Sequence, residues 1–292
     1  MTQVGQTLLD SQHERFTQAL DEVSAPVLEL IERDSDLAIF QVLRQDTSEF
    51  TQYGINHSVH ADITGFLVAQ RLGWSATDLQ KVFKAALTMN IAMLELQGQL
   101  AAQVEPPNLA QSQQIFDHPR ISAQMLELSG VTDRDWLDAV RQHHETPDGA
   151  GYPMGLSQVS DFAALVRRVD IYTAKLSARR GRDSIAADRA GRMMFMQDPG
   201  HPMIAALVKE FGIYPPGCFV RLVSGEIGVV VKRGPTVMTP MVAALTTAGG
   251  GHLLEPVRRD TSRREYAIAA AMGGREPKPA LKPEKLMALA CA

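Results

Sequence analysis

Hydrophobic and polar positions recur along this chain with two different periods. From about residue 7 to residue 45 the spacing is helical. In TLLDSQHERFTQALDEV, Leu8, Leu9, Phe16 and Leu20 fall near one face, with the charges opposite. Pro26 suits the first turn of a following helix, PVLELIERDSDLAIFQVL. The helical period returns over 58–72, where Val59, Ile63, Phe66 and Leu67 lie on related turns and Gly73 suits the C-cap. Ser75 can cap a helix running through KVFKAALTMNIAMLELQGQLAAQ. From Val82 to Leu96 that segment is apolar nearly all round, which predicts a central, buried helix. Pro106 and Pro107 interrupt the pattern. Further helices are predicted over 109–116, 119–129, 133–144, 160–178 and 185–197.

After about residue 212 the period falls to two. Phe219 to Val223, then Ser224-Gly225-Glu226, then Ile227 to Lys232 reads as a β-hairpin. Val242–Leu245, Leu253–Leu254 and Tyr266–Ile268 are candidates for further strands. The expected fold is mainly α: a helical bundle with a small β-rich C-terminal module. The expected organisation is an N-terminal helical segment over 1–49, a helical domain over 50–211, the β-rich module over 212–270 and a tail over 271–292.

Composition narrows the function. The chain has 292 residues, 45% hydrophobic and 21% charged, enough apolar side chain for a real core. The net charge of -4 gives no global attraction to nucleic acid or anionic lipid. The two cysteines, Cys218 and Cys291, form no CxxC pair and no disulfide framework. No signal peptide opens the sequence, and no run of about 20 apolar residues could span a bilayer. A cytoplasmic protein without membrane insertion is expected.

The chemistry gathers around HHETPDGAGYP, from His143 to Pro153. Pro147 ends the helix near Thr146. Adjacent helical residues point about 100° apart, so His143 and His144 can address one ion only near a helix end or in a cleft. Gly149 and Gly151 permit close backbone approach, and could turn amides toward a phosphate. On spacing alone the stretch is either a metal and phosphate loop or a helix end followed by a tight turn. Glu145 reads as a solvated helix-end carboxylate. The methionines, among them Met89, Met93 and Met196, read as core packing.

HHETPDGAGYP resembles the signature of the HD-GYP family, within the HD phosphohydrolase superfamily. NHSVHADITGFLVAQRLGW resembles the helix that carries the family's first metal-binding histidine, here His57. DHPRISAQML resembles its HP segment, with His118 as ligand. LVRRVDIYTAKLSARRGR resembles its late helix, with Asp170 as the metal-binding aspartate. The likeness covers roughly residues 50 to 185. It implies an all-helical fold, two or three iron, manganese or similar ions, and hydrolysis of the bacterial messenger cyclic di-GMP by a metal-bound water. It also implies metal ligation by His57, His118, His143, His144 and Asp170, and ligand binding through Gly149, Gly151, Tyr152, Lys175 and Arg179. A diguanylate cyclase or another signalling protein is the partner implied for the GYP loop.

The sequence departs from the pattern where the family is named. KAALTMNIAM stands for the helix carrying Leu-His-Asp-x-Gly-Lys, so Met89 replaces the histidine, Asn90 the aspartate, Ala92 the glycine and Met93 the lysine. Tyr53 stands where some members carry a glutamate, and Thr173 where an acidic residue is common. The lost aspartate normally bridges two cations. Unit like charges ~4 Å apart repel by about 1 kcal/mol in water and several times that near protein, and two divalent ions quadruple the figure. Asn90 is neutral, and the Met89 thioether suits soft Cu(I) better than Mn, Fe or Zn. The expectation is one divalent ion (Fe, Mn or Zn), or none, with His118, His143 and His144 as ligands and Asp170 binding or orienting. The expected function is a degenerate HD-GYP protein that binds cyclic di-GMP or a partner with little or no hydrolysis. Its alternatives are a phosphohydrolase with a reduced, mononuclear site, and a structural adaptor.

Overall fold

The computed structural model describes residues 2–10, 15–44, 50–273 and 276–279. His13, Cys291 and most of the expected 271–292 tail lie outside the described residues. The chain divides into two compact units: Met1–Glu29 with Asp46–Arg182, and Leu30–Gln45 with Asp183–Ala292.

The first unit is helical. It contains α1 (Thr2–Leu9), most of α2 (Phe16–Arg33), α4 (Tyr53–Arg71), α5 (Ala76–Thr88), α6 (Leu94–Ala102), α7 (Leu109–Leu128), α8 (Arg134–Gln142) and α9 (Asp161–Leu176). Helix α4 is the centre, packed by α5, α6 and α9, and it is buried almost throughout from Tyr53 to Ala69. Short polar side chains start the surrounding helices. Ser75, Asp133 and Ser160 each accept a hydrogen bond from the backbone N–H three residues on. Asn108 and Gln111 cap α7 reciprocally.

Three expectations about these helices are corrected. The segment after Ser75 is two helices, not one. Asn90 and Met93 leave helical geometry, and a short 3-10 turn spans Ile91–Met93. Tertiary contact competes for this backbone, because the Ala92 N–H donates to Ser122 Oγ on α7 at 3.2 Å. The helices expected at 109–116 and 119–129 are one helix that runs through Pro119. Pro26 likewise lies inside α2 rather than at a helix start.

The second unit combines α3 (Ser35–Leu43), α10 (Ala187–Gln197) and α11 (Pro202–Phe211) with β1 (Phe219–Leu222), β2 (Ile227–Lys232), β3 (Met241–Thr246), β4 (His252–Asp260) and β5 (Ile268–Ala271). Helix α11 escapes the sequence reading, although Pro202 in its first turn and Gly212 at its end mark it. The strands form one antiparallel sheet in the order β4-β3-β2-β1-β5. Both faces are covered. Val229, Val231, Ala243 and Leu245 pack with Phe40 of α3, while Cys218, Val220, Leu222, Val230 and Val242 form a separate cluster. Arg233 explains why the unit extends beyond the module expected from residue 212. It reaches Asp36 and Ser35 at α3, and Glu210 of α11 at 2.7 Å, so helices from distant sequence belong to the sheet. Cys218 is buried, and burial pushes its thiol up to about 12. Met196 is 71% exposed, so it is not the core residue that its type suggested. Among the described residues no helix is long and apolar enough to cross a membrane.

Candidate metal and ligand site

Two backbone carbonyls orient the central histidines. Pro119 has no N–H, so Ile115 O, four residues earlier, lacks its helical partner. His118 takes that place, and its Nδ1–H donates to Ile115 O at 2.6 Å. The same device closes α8. Val140 O is among the last carbonyls of that helix, which have no partner along it. His143 Nδ1–H donates to it at 2.7 Å. Each ring therefore carries its proton on Nδ1 and a lone pair on Nε2.

Those lone pairs face each other, Nε2 to Nε2, at 3.1 Å. Both residues are buried, at 2% and 0% exposure. Burial, then the charge of His143, pushes His118 down to about 3. Burial also holds His143 below its ordinary value and His144 well below it. No proton is available to sit between the two nitrogens, and facing lone pairs repel. A cation removes the conflict. His144 completes the set, since the ligand atoms of His118, His143 and His144 all lie within 4.8 Å of one another. Three neutral imidazoles on one point fit zinc, iron or manganese.

The other two expected ligands are hydrogen-bonded to each other, while the buried Nδ1 of His57 has no hydrogen-bond partner. His57, on α4, donates from Nε2 to Asp170 Oδ1 of α9 at 2.8 Å. Burial opposes a charge on Asp170, but the His57 hydrogen bond and the neighbouring histidines hold it well below the usual carboxylate range. Its charge is felt by His118, His143 and His144. Met89 and Asn90 are buried at 0% and 2% exposure, and Asn90 Nδ2 has no hydrogen-bond partner.

The loop after α8 is organised by Glu145. This residue is not solvated; it is 1% exposed. Its two oxygens accept from Met154 N at 2.7 Å and Leu156 N at 2.8 Å. Gly151 is required by contact within the chain, because a Cβ there would lie 2.5 Å from Glu145 Cα and 2.6 Å from His144 O. The amides of Gly149, Ala150 and Tyr152 are also used internally, on Thr146 O, Asp148 Oδ1 and His144 O. These three amides are engaged within the loop, which folds inward to hold His144. The Tyr152 ring lies on the His144 ring, centroids 4.5 Å apart and 19° from parallel.

No family model matches the chain. Cyclic di-GMP phosphodiesterase PA4108 of Pseudomonas aeruginosa is 31% identical over 243 residues, which cover 78% of this chain and 55% of that protein. The chain belongs to the HD-GYP family. A second relative, the cyclic di-GMP phosphodiesterase response regulator RpfG of Xanthomonas campestris, is 30% identical over 139 residues, 45% of this chain and 35% of that protein. The chain thus spans about half the length of the first relative and about a third of the second. The HDG"Y"P protein Bd1817 of Bdellovibrio bacteriovorus aligns with a TM-score of 0.58 at 16% identity, over 71% of this chain and 67% of that one, a likeness of fold.

Against the HD-GYP pattern, the basic residues beyond Asp170 divide. Lys175 sits in the last turn of α9, half-buried. Arg179 is engaged by Tyr53, with Nε donating to the phenol oxygen at 3.1 Å and the guanidinium 5.0 Å from the ring centre. Tyr53 in turn stacks on His57 at 6.0 Å. The residue standing at the glutamate position of some members therefore couples Arg179 to His57 by ring contact. Sequence reasoning named Glu145 but read it as solvated; its buried role could have been found from an acid preceding a turn rich in amide donors. It missed Phe116, which lies two residues before His118 and stacks on Tyr152. Arg167, one turn before Asp170, extends its charge to His144, Asp148 and Tyr152.

Proposed function

We propose that this HD-GYP chain is a cyclic di-GMP signalling module that holds one divalent ion on His118, His143 and His144 and binds the dinucleotide with little or no hydrolysis. The observation that carries the reading is the division of the five candidate ligands. The ligand atoms of His118, His143 and His144 lie within 4.8 Å of one another, with the Nε2 atoms of His118 and His143 face to face, while His57 and Asp170 are joined to each other at 2.8 Å. Two divalent ions ~4 Å apart repel by about 16 kcal/mol at an effective dielectric of about 20. A single carboxylate, Asp170, and a neutral Asn90 do not offset that. When bound, the ion supplies Lewis-acid attraction for a phosphate oxygen. The chain's own residues do the rest. Ile115 O and Val140 O fix the imidazole tautomers. Glu145 holds the loop that carries His144 in place. Arg167 adds positive charge beside the trio, which favours an anionic ligand.

The second reading is a working phosphohydrolase with this reduced site. Asp170 favours it, since an ionised carboxylate lies within charge reach of all three histidines. One set of measurements separates the two. Protein loaded with Fe, Mn or Zn is analysed for metal content, titrated calorimetrically with cyclic di-GMP, and sampled for product by chromatography. The expected result is one ion per chain, binding of cyclic di-GMP, and product no greater than with His143→Ala. Sustained turnover above that control establishes the second reading. Two ions per chain overturn the charge argument.

A further inference from the structure

An aromatic stack runs outward from the histidine trio. Tyr152 lies between His144, at 4.5 Å and 19°, and Phe116, at 5.6 Å and 20°. The inner rings are held from behind. His144 packs edge-on against His118 at 5.1 Å, and the Tyr152 backbone N–H donates to His144 O at 3.3 Å. Phe116 ends the stack. It stands two residues before the buried His118 on α7, yet it is 44% exposed. Two opposite charges act on both Tyr152 and His144, the Asp170 carboxylate more strongly and the Arg167 guanidinium less so.

We infer that Phe116 is the stacking platform for a purine base of the bound nucleotide, in line with Tyr152 and His144. The inference rests on the nucleotide-binding reading above and names the contact that gives it affinity. Every base has a π-face, and aromatic side chains bind bases through it. A ring already aligned on a held neighbour, as Phe116 is on Tyr152, loses little freedom when a base joins it. A cyclic dinucleotide carries two bases and two phosphates. One phosphate can lie at the histidines, beside Arg167, while a base extends past Tyr152 to Phe116. The GYP-loop tyrosine then has a role beyond covering His144: it sets the plane of the platform.

The test compares wild type with Phe116→Ala, Phe116→Leu and Phe116→Trp, all as the full chain with metal bound. Calorimetry follows cyclic di-GMP, with inorganic phosphate as the probe lacking a base, and metal content is measured on each protein. Phe116→Ala and Phe116→Leu are expected to bind cyclic di-GMP about fivefold to a hundredfold more weakly. Phe116→Trp retains affinity, and all four proteins keep the same metal content and phosphate binding. Wild-type affinity in Phe116→Leu shows plain apolar contact and overturns the platform, as does equal affinity in Phe116→Ala. If those variants bind like a wild type that does bind cyclic di-GMP, only the platform fails. If wild type binds no cyclic di-GMP, the functional reading fails and the platform with it.

Discussion

Pro119→Ala is expected to move stability and metal affinity in opposite directions. Proline inside a helix is about 3 kcal/mol less favourable than alanine. Part of that cost is already offset here, because His118 satisfies the carbonyl that Pro119 leaves open, at 2.6 Å. The substitution also removes a buried ring, whose methylenes contribute about 0.8 kcal/mol each. The net expectation is a gain of about 1–2 kcal/mol in unfolding free energy. The backbone N–H restored by the substitution competes with His118 Nδ1–H for Ile115 O. His118 can then move its proton to Nε2, the atom that faces His143 at 3.1 Å. Loss of such an orienting partner typically weakens a metal site about tenfold to a hundredfold, roughly 1.4–2.8 kcal/mol. Urea denaturation of the metal-free protein reads the first effect, and competition with a chelator of known zinc affinity reads the second. Raised stability with unchanged zinc affinity would show that the proline does not set the tautomer, and would refute the reasoning at its first step.

Two further outcomes follow from buried carboxyl groups. Glu145→Ala leaves Met154 N and Leu156 N without acceptors, and buried unsatisfied donors cost about 1–3 kcal/mol each; hydrogen exchange of residues 149–156 should accelerate by more than about tenfold, while exchange in α4 stays unchanged. Asp62, on α4, is 1% exposed, and neither of its oxygens has a hydrogen-bond partner on another element. Burial holds its carboxyl well above the usual range, only partly opposed by the Ile63 backbone. The folded chain therefore keeps a proton that the unfolded chain releases near pH 3.9, so stability falls as pH rises above that point, by up to about 1.4 kcal/mol per pH unit. Asp62→Asn should abolish this slope and be the more stable protein at neutral pH; parallel stability curves from pH 4 to 8 would refute the assignment.

Periodicity alone determined the mainly helical class, the β1–β2 hairpin and β3, because one buried face imposes its spacing on the residues that line it; it missed α11, and it expected a strand at Tyr266–Ile268 where a 3-10 turn ends and β5 begins. The candidate histidine and aspartate positions were legible as a family pattern, and so was the departure from it at Met89 and Asn90, which stand where a histidine and an aspartate were expected. Tertiary structure decided the rest. Pro119 looked like the start of a second helix because local rules count only the missing N–H; a side chain satisfies the freed carbonyl, so one helix runs through it and His118 is aimed. Glu145 looked exposed because its partners, Met154 N and Leu156 N, come into reach only when the loop folds back. His57 and Asp170, 113 positions apart in the sequence, become a hydrogen-bonded pair only where α4 and α9 pack. Spacing specifies which faces are buried, but the pairing of polar groups across those faces depends on distances that exist only after packing.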